Sequence, residues 1–142
     1  QDQMWRMGPN WTSTFDTPGA GHMTQFKAIA TSRPWWNMVP DQSVFASGVS
    51  SERTLNTALR TVDNSCVMIY LSSQCHALIH LDKIASKEAK ATWVNPQTGE
   101  QRDAGTYATG NLTGSVFPKA EKQWFSTPGH WEDAVLILDA VP

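Results

Sequence analysis

The feature that most restricts the fold is a series of short β-prone runs, which occupies the chain from Arg53 to its end. β-Branched, aromatic and aliphatic residues recur within the runs, and glycine, proline, asparagine, aspartate and serine separate them. Regular spacing of this kind is typical of an antiparallel sandwich or barrel. We therefore predict a mainly β domain, an antiparallel β-sandwich of roughly eight strands. The predicted strands are Thr54–Thr61, Cys66–Leu71, Cys75–Leu81, Lys90–Asn95, Gln101–Asp103, Thr113–Phe117, Gln123–Ser126 and Ala134–Asp139.

Two segments between these runs have the chemistry of hairpin turns. They are Asp63-Asn64-Ser65 and Asn95-Pro96-Gln97-Thr98-Gly99, in which asparagine or glycine is available for positive φ. The first run is ambiguous, because the apolar residues of Glu52–Val62 also fit a helical period. A helix over Glu52–Val62 remains an alternative to a strand.

The two cysteines fall on consecutive predicted strands, joined by Ser72-Ser73-Gln74. If these strands form a hairpin, Cys75 lies beside the turn and Cys66 lies about 13 Å away, at the far end. That separation is beyond the reach of a disulfide. No paired Cys/His spacing surrounds them, so we expect buried thiols and no zinc site.

Two zones precede the strands. The first, Gln1–Gly21, shows neither the helical nor the strand periodicity of apolar residues and is predicted to be a long loop. The second, from Gly21 to about Ser32, is predicted to be one amphipathic helix that stops at Arg33-Pro34, because proline disfavours helical geometry in the residue before it. The following Pro34–Asp41 segment is expected to be an extended apolar connector that needs another surface to cover it. The helical spacing is carried by Met23, Phe26, Ile29 and Ala30.

Several stretches of the β-rich part resemble a known family. They are Cys66–Leu71, Ala77–Leu81, Ala91-Thr92-Trp93-Val94-Asn95-Pro96-Gln97-Thr98-Gly99, and Trp124–His130 before Asp133–Leu138. Together they resemble the putative collagen-binding domain of a collagenase. The sequence departs from that family's pattern where an aromatic pair is common, at Thr92-Trp93, and where an aromatic-Pro-Pro turn is common, at Phe125–Pro128.

Upstream, Pro18–Met23 and Ser32–Gln42 look like the end of the (β/α)₈ barrel that precedes this domain in apiosidase-like glycoside hydrolases. The resemblance implies that residues 1–42 are the terminal loop-helix segment of an absent barrel domain and residues 43–142 a C-terminal β-sandwich. It implies a non-catalytic part of a secreted glycoside hydrolase, with the enzyme's own barrel as its partner and polysaccharide as a further one. A stand-alone carbohydrate- or collagen-binding module is the alternative.

We expect no catalytic residue in this chain. Retaining barrel glycosidases need two carboxylates about 5 Å apart, and in the resembled enzymes these come from earlier barrel strands. The glutamates here lie among polar neighbours and are predicted to be solvated. His76 and His80 share one face of a predicted strand. No Glu stands at a position that would let it join them as a metal ligand, and the one Cys at such a position is Cys75. We therefore expect neither a metal nor another cofactor.

The seven tryptophans supply candidate sugar contacts, because a flat indole is a common platform for the apolar face of a sugar ring. Trp124 and Trp131 flank Pro128-Gly129 and are predicted to be exposed. Trp5 and Trp11 stand in the loop that, by the resemblance, follows the last barrel strand, where barrel active sites are built. These four tryptophans are the predicted ligand contacts.

Four other apolar residues are predicted to meet a neighbouring domain. Phe26 and Ile29 belong to the predicted helix, and Trp35 and Trp36 lie beside Pro34, where they are expected to cover the seam between helix and sandwich. Trp93, in the middle of a strand, is predicted to be buried.

Charge and local motifs restrict partners and location. The chain has 11 basic and 13 acidic residues with no basic stripe, so nucleic acid is not expected as a partner. No apolar run approaches the roughly 20 residues needed to cross a bilayer, so no membrane partner is expected. The sequons at Asn10 and Asn111 would accept glycans in a eukaryotic secretory pathway, and we expect an extracellular protein.

Overall fold

A computed structural model describes residues 11–14, 16–110 and 121–142. Within them lie one α-helix and nine strands arranged in two antiparallel sheets, which confirms the mainly β sandwich. The larger, six-stranded sheet has the order β1-β3-β4-β9-β6-β7, and the smaller, three-stranded sheet has the order β2-β5-β8. The elements are α1 Pro18–Thr31, β1 Met38–Pro40, β2 Phe45–Ser47, β3 Thr57–Thr61, β4 Cys66–Leu71, β5 His76–His80, β6 Glu88–Val94, β7 Gln101–Ala108, β8 Lys122–Ser126 and β9 Ala134–Val141.

The main core lies between the two sheets. Alternate residues of β4, β9 and β6 point inward and meet the inward residues of β5 and β8. Phe125 of β8 makes edge-to-face contacts with two aromatic rings of the large sheet, Trp93 at 6.3 Å and Tyr107 at 5.3 Å between centroids. Trp93 is therefore buried, as its position in the sequence predicted. Such aromatic pairs add about 0.5–1.5 kcal/mol each beyond burial of their area.

A second apolar cluster lies on the opposite face of the large sheet. Its buried members are covered by Ile29 of α1 and by Met38 of β1. The large sheet is consequently a middle layer, with the small sheet on one side and α1 on the other. Because β4 and β9 are covered on both faces, their sequences are apolar almost without alternation. The buried members of this second cluster are Cys66, Met68, Val94, Val135 and Ile137.

The predicted hairpin between Cys66–Leu71 and Cys75–Leu81 is wrong. β4 pairs with β3 and β9 in the large sheet, whereas β5 pairs with β2 and β8 in the small sheet. The connection between them crosses from one sheet to the other, and the buried Asn56 holds it by accepting a hydrogen bond from the backbone N–H of Ser72 at 2.9 Å. Both cysteines are free thiols; Cys66 is buried, as predicted, whereas Cys75 is only half-buried.

The two turn predictions are confirmed. Asn64 turns the chain between β3 and β4 with a φ of 60°, and Gly99 closes the β6–β7 connection with a φ of 77°. The strand reading of the first run is also confirmed, because only Glu52–Thr54 forms a 3₁₀ turn before β3 begins at Thr57. The helix alternative over Glu52–Val62 is wrong.

Other boundaries differ from the predicted ones. β7 extends to Ala108, and β1 and β2 were not predicted. The helix begins at Pro18, inside the predicted loop, because proline with its fixed φ suits the first helical turn. Part of the predicted connector is the edge strand β1, so the large sheet begins before the boundary predicted between residues 42 and 43. The predicted strand Thr113–Phe117 lies outside the described residues.

Candidate functional site

The structure presents two candidate surfaces on opposite sides of the three layers. One, the helix face, consists of the exposed side chains of Met23, Phe26, Trp35 and Trp36 on and just after α1. The other, the platform, is the outer face of the small sheet around Trp124. The two outer sides of the sandwich are separated by the large sheet and the main core.

The helix face is unusually apolar for an exposed surface. Phe26 is 63% exposed, Trp35 55% and Trp36 74%, and the two indoles meet edge to face at 6.3 Å. No residue of α1 is fully buried, and Ile29 is the helix residue that packs on the second cluster. The prediction that the two tryptophans cover the seam between helix and sandwich is therefore wrong, because Ile29 and Met38 cover it and the indoles project into solvent.

The end of α1 is fastened to the large sheet by a forked ion pair. Arg33 Nε donates to Asp139 Oδ1 at 2.7 Å, and Arg33 Nη2 donates to the other carboxylate oxygen. This hydrogen bonding raises the pKa of Arg33. Nearby, burial and then the Asp139 carboxylate raise the pKa of the Cys66 thiol to about 12, so this cysteine is inert. The sequence carried no signal that joined Arg33 to Asp139.

A groove of about 280 Å³ runs between α1 and the outer face of the large sheet. Its walls mix the apolar Ile29 and Ile137 with the polar Gln25, Lys90 and Gln101. The ion-paired Arg33 and Asp139 line it as well. The groove thus belongs to the same side of the molecule as the helix face.

Trp124 is the centre of the platform, and its predicted exposure is confirmed at 55%. It lies directly across from Leu78 of β5, so the two side chains share the outer face. Ser126 and Lys122, two residues to either side of it on β8, share that face as well. Across from Ser126 is His76, whose Nδ1 is 2.7 Å from the Ser126 hydroxyl oxygen.

The other end of the platform carries charged groups. His80 lies across from Lys122, and its Nδ1 is 3.3 Å from a carboxylate oxygen of Asp82. The same-face arrangement predicted for His76 and His80 is confirmed by the alternation of β5, whose intervening Ala77 and Ile79 are buried. The two imidazoles therefore stand at opposite ends of one small surface.

The prediction that Trp131 is exposed is wrong. Its side chain is only 4% exposed and belongs to the main core. The Pro128-Gly129 turn continues through His130, which has a φ of 71°, so the backbone makes a left-handed step directly before Trp131. Arg102 covers the indole, with its guanidinium carbon 4.9 Å from the ring centroid. Trp131 is a structural residue in this fold.

A polar pair at the start of β9 was not predicted. Tyr70 donates its hydroxyl hydrogen to Asp133 Oδ2 at 2.8 Å. Burial and then this hydrogen bond raise the pKa of Tyr70 to about 12. Among the described residues, Asp133 Oδ1 is the buried side-chain oxygen left without a hydrogen-bond partner.

The remaining predicted sites concern catalysis, metal and glycosylation. Glu52, Glu88, Glu100 and Glu132 are exposed, as predicted, whereas Glu121 is half-buried. In the described part of the chain, no cluster of three or more His, Cys, Asp or Glu side chains is arranged to hold a metal ion. No helix in that part has the length and apolarity to span a membrane. Trp5, Asn10 and Asn111 lie outside the described residues, and of Trp11 only the backbone, in the 3₁₀ turn Trp11–Thr14, is described.

Comparisons with known proteins bear on the whole domain. Residues 39–139 match the family model described as "Putative collagen-binding domain of a collagenase". Among curated proteins, no match is found. A solved glycoside hydrolase structure superimposes with a TM-score of 0.76 at 22% identity, covering 92% of this chain and 27% of that one. A glycoside hydrolase family 5 structure from Bacteroides vulgatus ATCC 8482 gives a TM-score of 0.76 at 23% identity, covering 92% of this chain and 26% of that one. The chain thus spans about a quarter of these structures and shares the fold of that part.

Proposed function

The chain belongs to the family of the putative collagen-binding domain of a collagenase, and we propose that it is a non-catalytic accessory domain of a secreted glycoside hydrolase. In this proposal the helix face packs against the enzyme's catalytic barrel and holds the two domains in a fixed arrangement. The similarity to parts of larger glycoside hydrolase structures supports a partner of this kind.

The observation that carries the proposal is the exposure of the helix face. An isolated helix of 14 residues is marginal in water, and α1 gains little from its own sandwich because none of its residues is fully buried. Several large apolar side chains exposed on and just after one helix are typical of an interaction site. A domain packed on Phe26, Trp35 and Trp36 would bury these side chains and stabilise α1 on both sides.

The test uses the natural full-length protein and one substitution on each side of the sandwich. Trp36→Ser should lower the melting temperature of the joined domains and increase proteolytic cleavage near α1, because a central tryptophan in an interface contributes about 2 kcal/mol or more. Trp124→Ser, which removes an equally large exposed indole from the opposite side, is the matched control. Equal melting temperatures for both variants would refute the docking role of the helix face.

Glycan contact is a second candidate function, favoured by the exposure of Trp124 on the side away from the helix face. A solvent-facing indole is a suitable surface for the apolar face of a sugar. The expected outcome is that Trp124→Ala weakens retention of the protein by polysaccharide in native gels without changing turnover of a small soluble substrate. Unchanged retention would refute this second role.

The proposed extracellular location has its own test. Expression of the natural gene in its source, followed by mass spectrometry of the medium, should recover the protein outside the cell. In a eukaryotic source, the peptides with Asn10 and Asn111 should carry glycans.

A further inference from the structure

The platform combines an apolar centre with a hydrogen-bonding rim. Trp124 and Leu78 form the centre, directly across from one another on β8 and β5. At one end stand His76 and Ser126, and at the other stands Lys122. Residues two positions apart on a strand are about 7 Å apart, so the Cα atoms of Ser126 and Lys122 lie about that far from the Cα atom of Trp124 on either side.

This composition selects among ligand classes. A protein partner would need a wider apolar surface around its central tryptophan, to exclude water from the contact. A nucleic acid would also stack on an indole, but it needs several cations along its backbone. Among the described residues of β5 and β8, this face carries one lysine, Lys122, and the His80 imidazole is already beside Asp82. A pyranose ring has an apolar C–H face and a periphery of hydroxyl groups, which matches a flat centre with a polar rim.

We propose that the platform is a polysaccharide-binding site, at which one pyranose ring stacks on Trp124 while its hydroxyl groups bond with His76, Ser126 and Lys122. The proposal deepens the second candidate function and rests on it, since it assigns the contact to a defined set of residues. It is independent of docking, because the helix face lies on the other side of the large sheet. A domain packed on α1 leaves this site open to solvent.

The ring is either neutral or bears a carboxylate, and Lys122 distinguishes the two. A uronate would place its negative charge near the ammonium group, so its binding would weaken with salt and with Lys122→Ala. A neutral pyranose would accept only a hydrogen bond from that group, so Lys122→Ala would weaken its binding less and salt would leave it unchanged. Stacking on Trp124 is common to both.

The experiment is native affinity electrophoresis of the natural protein in gels that contain polygalacturonic acid, β-1,4-galactan, xyloglucan or gelatin. The variants are Trp124→Ala, His76→Ala and Lys122→Ala, with Trp36→Ala as the matched control on the opposite side. All four replace exposed side chains, and circular dichroism confirms that each variant is folded. We expect at least one polysaccharide to retard the protein, with affinity reduced about tenfold or more by Trp124→Ala, about fivefold by His76→Ala, and unchanged by Trp36→Ala.

The other outcomes distinguish glycan contact at Trp124 from the role of the polar rim. If Trp124→Ala abolishes retardation while His76→Ala and Lys122→Ala have no effect, glycan contact stands and the polar rim is refuted. If the polysaccharides retard the protein and Trp124→Ala equally, or if Trp36→Ala weakens binding as much, the platform is not the site. Retardation by gelatin alone, lost in Trp124→Ala, would assign the surface to protein and overturn the sugar proposal.

Discussion

Replacement of Asp139 by asparagine should release α1 from the large sheet while the sandwich stays folded. The Asp139 carboxylate accepts both branches of the Arg33 fork, and this pair ties Arg33, two residues beyond the end of α1, to β9. Asparagine keeps the shape of the side chain but removes its charge and replaces one acceptor by a donor. Arg33 would then hold a partly covered positive charge without a counter-ion.

The size of the effect follows from the burial of the pair. An exposed ion pair contributes about 0–1 kcal/mol, and breaking a fully buried one costs about 3–5 kcal/mol. The Arg33 and Asp139 side chains are 32% and 28% exposed, so the pair lies between these limits. We expect a loss of about 2 kcal/mol in the stability of the docked helix, which raises its opening equilibrium constant about 30-fold.

Amide hydrogen exchange measures this opening directly, because local unfolding of α1 exposes its amides without unfolding the strands. The amides of α1 should exchange about 30-fold faster in Asp139→Asn, while those of β4 and β6 keep their protection. The matched control is Glu100→Gln, which makes the same chemical change in a pair whose side chains are 49% and 46% exposed. Its effect should stay within about twofold. Unchanged protection of α1, or an equal loss across all strands, would refute the role of this pair as a local fastening.

Three further changes test the interior. Trp131→Ala should destabilise the chain by about 3–5 kcal/mol in urea unfolding, because it opens a cavity in the main core; a loss below 1 kcal/mol would contradict the burial. Gly48→Ala should cost more than about 1 kcal/mol, since Gly48 has a φ of 95° and a Cβ there would lie 2.7 Å from the carbonyl oxygen of His76; an unchanged urea midpoint would refute the close approach. Hydrogen bonds from Ser43 and then from Arg60 lower the pKa of Asp41, so its contribution is complete above about pH 4 and is lost as the pH falls through the lowered folded pKa. Urea unfolding between pH 6 and pH 2 should therefore have a shallower acid decline in Asp41→Asn, and identical profiles would contradict this assignment.

The strands that were predicted well are those whose signal is local. The runs that became β4, β5, β8 and β9 each contain adjacent apolar residues, and turn residues bound them. The strands β1 and β2 have three residues each, too few to show a period. They form because neighbouring strands offer unpaired backbone groups. A three-residue sequence carries no signal that such a neighbouring strand is present.

In the candidate site, too, one feature could be predicted from the sequence and another could not. The exposure of Trp124 was predicted from its place beside the Pro128-Gly129 turn, and in the structure it follows from the alternation of β8, in which the next residue, Phe125, is buried. Trp131 looked equivalent in the sequence, where both indoles flank one turn. Its burial depends on the left-handed step at His130 and on Arg102, which comes from a strand almost 30 residues earlier.

By itself, the amino-acid sequence determined the strand-forming runs, the two hairpin turns and the helix with its proline stop, because each depends on the conformational preferences of a few adjacent residues. The tertiary structure alone decided that β4 and β5 join different sheets, that α1 rests on Ile29 and the Arg33–Asp139 pair, and which of two similar tryptophans faces the solvent. These outcomes depend on contacts between residues far apart in the chain. Their free energies arise only when whole layers pack together.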